Sequence, residues 1–167
     1  MLDRFDFILR MRMRGKPAIL GAVFLGVLVV SLLAFLLVGN GKTTRVLYFP
    51  AVEGGRLVAE ARLVPRHRTL EDNVTELVEG VFLGPSRESA ARLFPRGGRV
   101  LSAMVSGRTL FLDLSPLVLL DDPEVPLKGQ AALDALARSL RFNFPRIREV
   151  DFYIDGQKPV FAEKKKI

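Results

Sequence analysis

An uninterrupted apolar segment near the N-terminus, residues 18–38, constrains this chain more than any other feature. It contains no charged residue, and Ser31 is its only polar side chain. An α-helix rises about 1.5 Å per residue, so a helix of this length extends roughly 31 Å, close to the thickness of a bilayer's hydrocarbon core. Because backbone polar groups within lipid need internal partners, the segment predicts a transmembrane helix.

The charges on either side of this segment predict its orientation. The basic residues that precede it are Arg4, Arg10, Arg12, Arg14 and Lys16. Only Lys42 and Arg45 follow it closely. The positive-inside rule therefore predicts a basic cytoplasmic tail at residues 1–17, a single pass through the cell (inner) membrane, and an extracytoplasmic C-terminal domain. Val38 suits a signal-peptidase site poorly, so a retained signal anchor is favoured over a cleaved signal.

The basic character of the chain is confined to its two ends. The formal net charge is +7, of which residues 1–41 carry +3, residues 42–163 carry +1, and the lysines at 164–166 carry the remaining +3. A nearly neutral folded body gives no support to nucleic-acid binding. The sequence has no cysteine, which excludes disulfides, thiol catalysis, cysteine metal ligands and a lipid-modified cysteine.

Beyond a linker at residues 39–44, the pattern of apolar residues predicts one α+β domain at residues 45–160 and a basic tail at 161–167. Alternation predicts five strands, and apolar stripes at helical spacing predict two helices, the first of them capped by Thr69. The element order ββ-α-ββ-α-β predicts a two-layer sandwich, with a mainly antiparallel sheet and both helices on one face.

Two strands carry specific expectations about which side chains share a face. In the second strand, Glu60 and Arg62 are expected on one face. The apolar residues on its opposite face are expected to be Leu57, Ala59, Ala61 and Leu63. In the third strand, Leu101 is expected on the same face as Ala103 and Val105.

Six short motifs in this order resemble the GerMN domain, the sporulation and spore germination domain. They are VLYFP, Leu83-Gly84-Pro85 at a helix end, LFPRGGRVLSAMV, GRTLFLDLS, Phe144-Pro145 and VDFYIDGQKP. The resemblance covers about residues 45–159 in a single copy. It implies a fold similar to ring-building motifs of secretion and sporulation channels, and a membrane-anchored protein outside the cytoplasmic membrane with a role in envelope processes. It implies no catalytic residues.

The residues themselves also predict no catalytic residue, cofactor or metal site. His67 is the only histidine and lies between Arg66 and Arg68, which disfavour its protonated form and make it a poor cation ligand. The acidic loop at residues 121–124 lacks the interleaved spacing of a calcium loop. No serine has a histidine placed to activate it.

Two basic strips are the remaining candidate, as an interaction surface. The first strip consists of Arg62, Arg66, His67 and Arg68, and the second of Arg141, Arg146 and Arg148. Such strips suit anionic wall polymer, lipid headgroups or an acidic protein face. The leading hypothesis is a non-enzymatic, membrane-anchored extracytoplasmic domain that binds or scaffolds envelope proteins or cell-wall polymer.

Two alternatives belong to other functional classes. The first is a ring- or oligomer-forming structural protein whose partner is a second copy of the chain. The second is a carboxylate-based envelope glycan hydrolase that uses two of Asp113, Glu149, Asp151 and Asp155. A hydrolase of this kind requires two carboxylates about 5–9.5 Å apart at one site.

Overall fold

The computed structural model describes residues 19–34, 41–53 and 55–161. The chain divides into two compact units, Met1–Gly41 and Lys42–Ile167. In the first unit, residues 19–34 form helix α1. Within the described ranges, no helix combines the length and the apolar character needed to cross a membrane. The two ends of the predicted span, the predicted cytoplasmic tail and most of the predicted basic C-terminal tail lie outside the described residues.

The second unit has the predicted α+β class and element order. Its elements are β1 (Lys42–Pro50), β2 (Leu57–Pro65), α2 (Leu70–Phe82), β3 (Val100–Ser106), β4 (Thr109–Leu114), a 3-10 helix (Pro116–Leu119), α3 (Gln130–Asn143) and β5 (Glu149–Ile154). β1 begins within the segment predicted to be a linker. The strand therefore starts upstream of the predicted domain boundary.

The strands form two sheets, and the prediction of one mainly antiparallel sheet was wrong in this respect. β1 and β2 form an antiparallel pair. β3 pairs antiparallel with β4, and β4 pairs parallel with β5. A parallel neighbour requires a long crossover, which here contains α3. α2 packs against strands of both sheets, whereas α3 packs mainly against β1.

Side chains of α3 explain why β1 has no strand along the edge opposite β2. Asn143 Oδ1 accepts a hydrogen bond from Val46 N–H at 2.8 Å, and Asn143 Nδ2 donates to Val46 O at 2.5 Å. Ser139 Oγ accepts from Tyr48 N–H at 3.0 Å. These contacts satisfy the backbone groups that an edge strand would otherwise present to a neighbouring strand. The sheet therefore ends at β1.

The core of the second unit lies between α2, α3 and the inner faces of the two sheets. Its fully buried side chains include Leu47, Phe49, Val74, Leu77, Val78, Leu110, Leu112, Leu136 and Leu140. The predicted apolar stripes of α2 and α3 are confirmed by this burial. α2 ends where expected, because Gly84 follows it with φ of 89°, a conformation that favours glycine.

β2 places its polar residues on the buried side. Glu60 is 5% exposed, whereas Leu63 is 66% exposed, and Ala59 and Ala61 are exposed as well. The division into two faces is confirmed except at Leu57, which packs against the core. The core, however, lies against the face that carries Glu60 and Arg62, and Ala59, Ala61 and Leu63 point outward.

The alternation predicts Leu101 on the same face as Ala103, and this prediction is wrong. The pairing of β3 with β4 shifts register between Val100 and Ser102. This irregularity inserts an extra residue, and Leu101 is 41% exposed as a result. Val100 packs against the core in its place.

Thr69→Ala is expected to lower the free energy of unfolding by about 1 kcal/mol, because it removes the N-cap of α2. Thr69 Oγ1 accepts from Asp72 N–H at 3.1 Å. Urea denaturation of the full chain measures the change. Thr75→Ala, inside the same helix, is the matched control and is expected to change stability by less than about 0.5 kcal/mol. Equal losses from the two variants would contradict the capping role.

Candidate interaction surface

Arg62 stands apart from the other predicted surface residues because its guanidinium lies in an internal network. Its Nε contacts Glu60 Oε1 at 2.6 Å. Its Nη1 donates to Gly80 O at 3.0 Å, and its Nη2 donates to Gly84 O at 2.6 Å and to Ser86 Oγ at 3.1 Å. A cation at the C-terminal end of α2 also complements the helix dipole. Arg62 thus joins β2 to the end of α2 and contributes to the fold.

Glu60, the partner of Arg62, is a buried carboxylate that sequence reasoning missed. Burial alone would raise the pKa of Glu60, but the hydrogen bonds from Arg62 and Ser86 outweigh it and lower the pKa below its usual value. One Glu60 oxygen accepts from Ser86 N–H at 3.0 Å. The sequence of β2 gives only a weak signal that Glu60 is buried. Ala59 and Ala61 bury little apolar area, so the alternation could not show which face the core would take.

Acid is expected to weaken the fold through Glu60. Since the pKa of Glu60 is lower in the folded chain than in the unfolded chain, its contribution is fully present above the ordinary carboxyl value of about 4.3 and is lost as the pH falls through the folded value. Urea midpoints measured from neutral to acidic pH should therefore fall more steeply for the wild type than for Glu60→Gln. Parallel curves would contradict this assignment.

The loop that contains His67 is fixed to the first turns of α2. Asn73 Oδ1 accepts from His67 N–H at 3.1 Å, and Asn73 Nδ2 donates to His67 O at 2.8 Å. His67 Nε2 lies 3.1 Å from Glu76 Oε2. Within the described part of the chain, no three His, Asp or Glu side chains form a group that could hold a metal ion. His67 is therefore a partner of Glu76 within a loop that Asn73 holds against α2.

The remaining predicted arginines are exposed to solvent. They are Arg66, Arg68, Arg141, Arg146 and Arg148. Across residues 41–53 and 55–161, the ion pairs are formed by other residues. Arg148 directly precedes β5, and its N–H donates to Arg108 O at 2.8 Å. These guanidinium groups are available to an anionic partner.

Arg45 lies at the end of α3, whereas the sequence indicates it only as a charge flanking the apolar segment. Its Nη1 donates to Asn143 O at 3.0 Å, and its guanidinium lies 4.4 Å from the centroid of the Phe144 ring. Burial and the nearby Arg66 guanidinium both lower the pKa of Arg45. Arg45 therefore adds a basic group where α3 ends.

The carboxylates of the hydrolase alternative are held by separate partners. Asp113 accepts from Gly156 N–H at 3.1 Å, and Asp151 pairs with Lys158 at 3.2 Å. Glu149 accepts from Thr109 Oγ1 at 3.2 Å, and Asp155 occupies a turn with φ of 52°. These contacts stabilise the three-stranded sheet and the turn after it. These contacts do not support the hydrolase alternative, which requires two of these carboxylates at one site.

The arrangement of strands and helices matches a known domain type. The first GerMN domain of the sporulation protein GerM from Bacillus subtilis superposes with a TM-score of 0.53 at 18% identity, over 70% of this chain and 86% of that one. The tandem GerMN domains of the same protein give a TM-score of 0.58 at 14% identity, over 75% of this chain and 43% of that one. The fold is therefore that of a GerMN domain.

Sequence comparison assigns the family directly. Residues 46–160 match the Germane family, described as sporulation and spore germination. An uncharacterized lipoprotein of Treponema pallidum (strain Nichols) is 31% identical over 97 residues, which cover 58% of this chain and 72% of the relative. This chain belongs to the Germane (GerMN) family, with a single copy of the domain at residues 46–160.

Proposed function

We propose that this chain is a non-enzymatic module that is held at the outer face of the cell membrane and binds cell-envelope components there. The observation that carries the proposal is the exposure of the five predicted arginines, Arg66, Arg68, Arg141, Arg146 and Arg148. A domain with a net charge near +1 in which these exposed guanidinium groups lie outside the ion pairs of the described residues is suited to an anionic surface or polymer. The resemblance to the GerMN domain implies a role in envelope processes and so supports this proposal.

The location in this proposal rests on the N-terminal part of the sequence and on a relative. The apolar segment at 18–38 and its basic flank favour attachment to the membrane with the GerMN domain outside. The Treponema pallidum relative is named as a lipoprotein. This sequence contains no cysteine to carry a lipid, so the proposed attachment is through the apolar segment. A topology reporter fused after Ile167 tests this, and activity only in the cytoplasm would contradict it.

Binding is tested by sedimentation of the purified full-length chain with isolated cell-envelope fragments. The triple variant Arg66→Gln, Arg141→Gln, Arg146→Gln is expected to weaken binding about tenfold, which corresponds to roughly 1.4 kcal/mol. The matched control removes three exposed arginines elsewhere on the domain: Arg56→Gln, Arg87→Gln, Arg96→Gln. We expect the control to bind as the wild type does. Equal binding by both triple variants would overturn the assignment of the surface.

A further inference from the structure

The outward face of the β1–β2 sheet exposes apolar side chains that the fold itself does not cover. Leu63 on β2 is 66% exposed and Phe142 on α3 is 57% exposed. The Phe142 ring meets the Tyr48 ring edge to face, with centroids 5.7 Å apart and planes at 83°. Phe142 therefore extends the apolar surface of β1 beyond the edge of the sheet. We call this surface the outer face; its residues are Thr44, Val46, Tyr48, Ala59, Ala61, Leu63 and Phe142.

The strand pairing places small side chains in the middle of the outer face. Val46 pairs with Ala61 and Tyr48 pairs with Ala59, so alanines lie along the β2 side of the middle of the sheet. Leu63 lies at one end, and Phe142 lies beside Tyr48 towards the other end. Two alanines between larger apolar side chains leave room for the apolar face of an amphipathic helix.

The charges around the outer face are mainly basic, with Asp134, exposed one turn before Arg138 on α3, as an acidic exception. Lys42 shares the outward side of β1 with Thr44, and the Arg138 guanidinium lies 4.8 Å from the centroid of the Tyr48 ring. Arg141, one turn further along α3, is exposed. Glu60, the only carboxylate of β1 and β2, points to the opposite, buried side. The charge complement of this surface is therefore an acidic one.

We propose that the outer face is the docking surface for an acidic amphipathic segment of a partner protein. The inference rests on the proposed envelope-binding function and names the class of partner. Exposed apolar side chains contribute little to binding a phosphate-rich polymer, for which the arginines alone would suffice. A lipid surface favours large apolar side chains, whereas β2 carries only Ala59 and Ala61 in the middle of the outer face. An acidic segment with one apolar face complements both the apolar side chains and the basic border.

The test uses the full-length chain in nanodiscs of zwitterionic lipid and a fluorescent synthetic helical peptide. The peptide carries leucines at i, i+3, i+4 and i+7 with glutamates at its other positions. Leu63→Glu is expected to weaken peptide binding at least about tenfold, since it introduces both a polar group and a like charge. Leu83→Glu, at a 78% exposed leucine after α2, is the matched control and is expected to leave binding unchanged.

The competing ligands give distinct outcomes. A peptide with lysines in place of the glutamates is expected not to bind. Absence of binding by the acidic peptide, or equal binding by Leu63→Glu and the wild type, would overturn the proposal. The proposal would also be overturned if Leu63→Glu weakened binding of the chain to vesicles of phosphatidylcholine and phosphatidylglycerol but not its binding to the acidic peptide. Envelope binding that depends on the arginines can persist in each of these cases, so the proposed function and this inference fail separately.

Discussion

Glu60→Gln is expected to lower the free energy of unfolding by about 3 kcal/mol, because it leaves the largely buried Arg62 cation without its carboxylate. Both side chains are mostly shielded from water, with 7% of the Glu60 side chain and 17% of the Arg62 side chain exposed. Urea denaturation followed by tyrosine fluorescence measures the loss. The chain has two tyrosines and no tryptophan, and both tyrosines, Tyr48 and Tyr153, lie in the second unit.

Two further variants separate the buried charge from other effects of this substitution. Glu79→Gln, at an exposed position of α2, is expected to change stability by less than about 0.5 kcal/mol. Adding Arg62→Met to Glu60→Gln is expected to recover part of the loss, because no buried cation then remains unpaired. A loss below about 1 kcal/mol for Glu60→Gln alone would contradict the structural role of the pair.

Asn143→Ala is expected to lower the free energy of unfolding by about 2 kcal/mol, because it leaves both backbone polar groups of Val46 without their partner. The same change opens the edge of β1, so self-association at high protein concentration is expected to rise. Denaturation and sedimentation velocity measure the two effects. Gln130→Ala, at an exposed position at the start of α3, serves as the control. Equal effects from the two variants would show that Asn143 does not close the edge.

The helices were predictable because their signals are local and strong. In α2, the buried residues Val74, Leu77, Val78 and Val81 repeat at helical spacing, and Thr69 and Gly84 mark its ends. Each of these features depends on residues within one or two turns. The energy of burying such a stripe favours one orientation of the helix, so its core face follows directly from the sequence.

β2 shows why alternation alone does not determine the buried face. Two of the four residues on its apolar side, Ala59 and Ala61, are alanines, which gain little from burial. Its polar side carries Glu60 and Arg62, which satisfy each other and the carbonyl groups at the end of α2. Once a carboxylate and a guanidinium are fully hydrogen-bonded, their burial is tolerated. The partners that decide the outcome lie on another element and cannot be inferred from the strand itself.

The division into two sheets depends on contacts between residues far apart in the sequence. Asn143 and Val46 are 97 positions apart, and Ser139 and Tyr48 are 91 positions apart. Neither Asn143 nor Ser139 carries a local signal that it will bond to a strand edge. The contact of Arg45 with Asn143 joins residues 98 positions apart, so the sequence of β1 alone does not predict it.

The most direct test of this account is photo-crosslinking in intact cells that express the full-length chain. A photoreactive residue replaces Arg141 in one variant and Arg87, exposed elsewhere on the domain, in the other. The account predicts crosslinks to extracytoplasmic envelope components from position 141 and few or none from position 87. Crosslinks from position 141 to cytoplasmic proteins, or equal envelope crosslinks from the two positions, would contradict it.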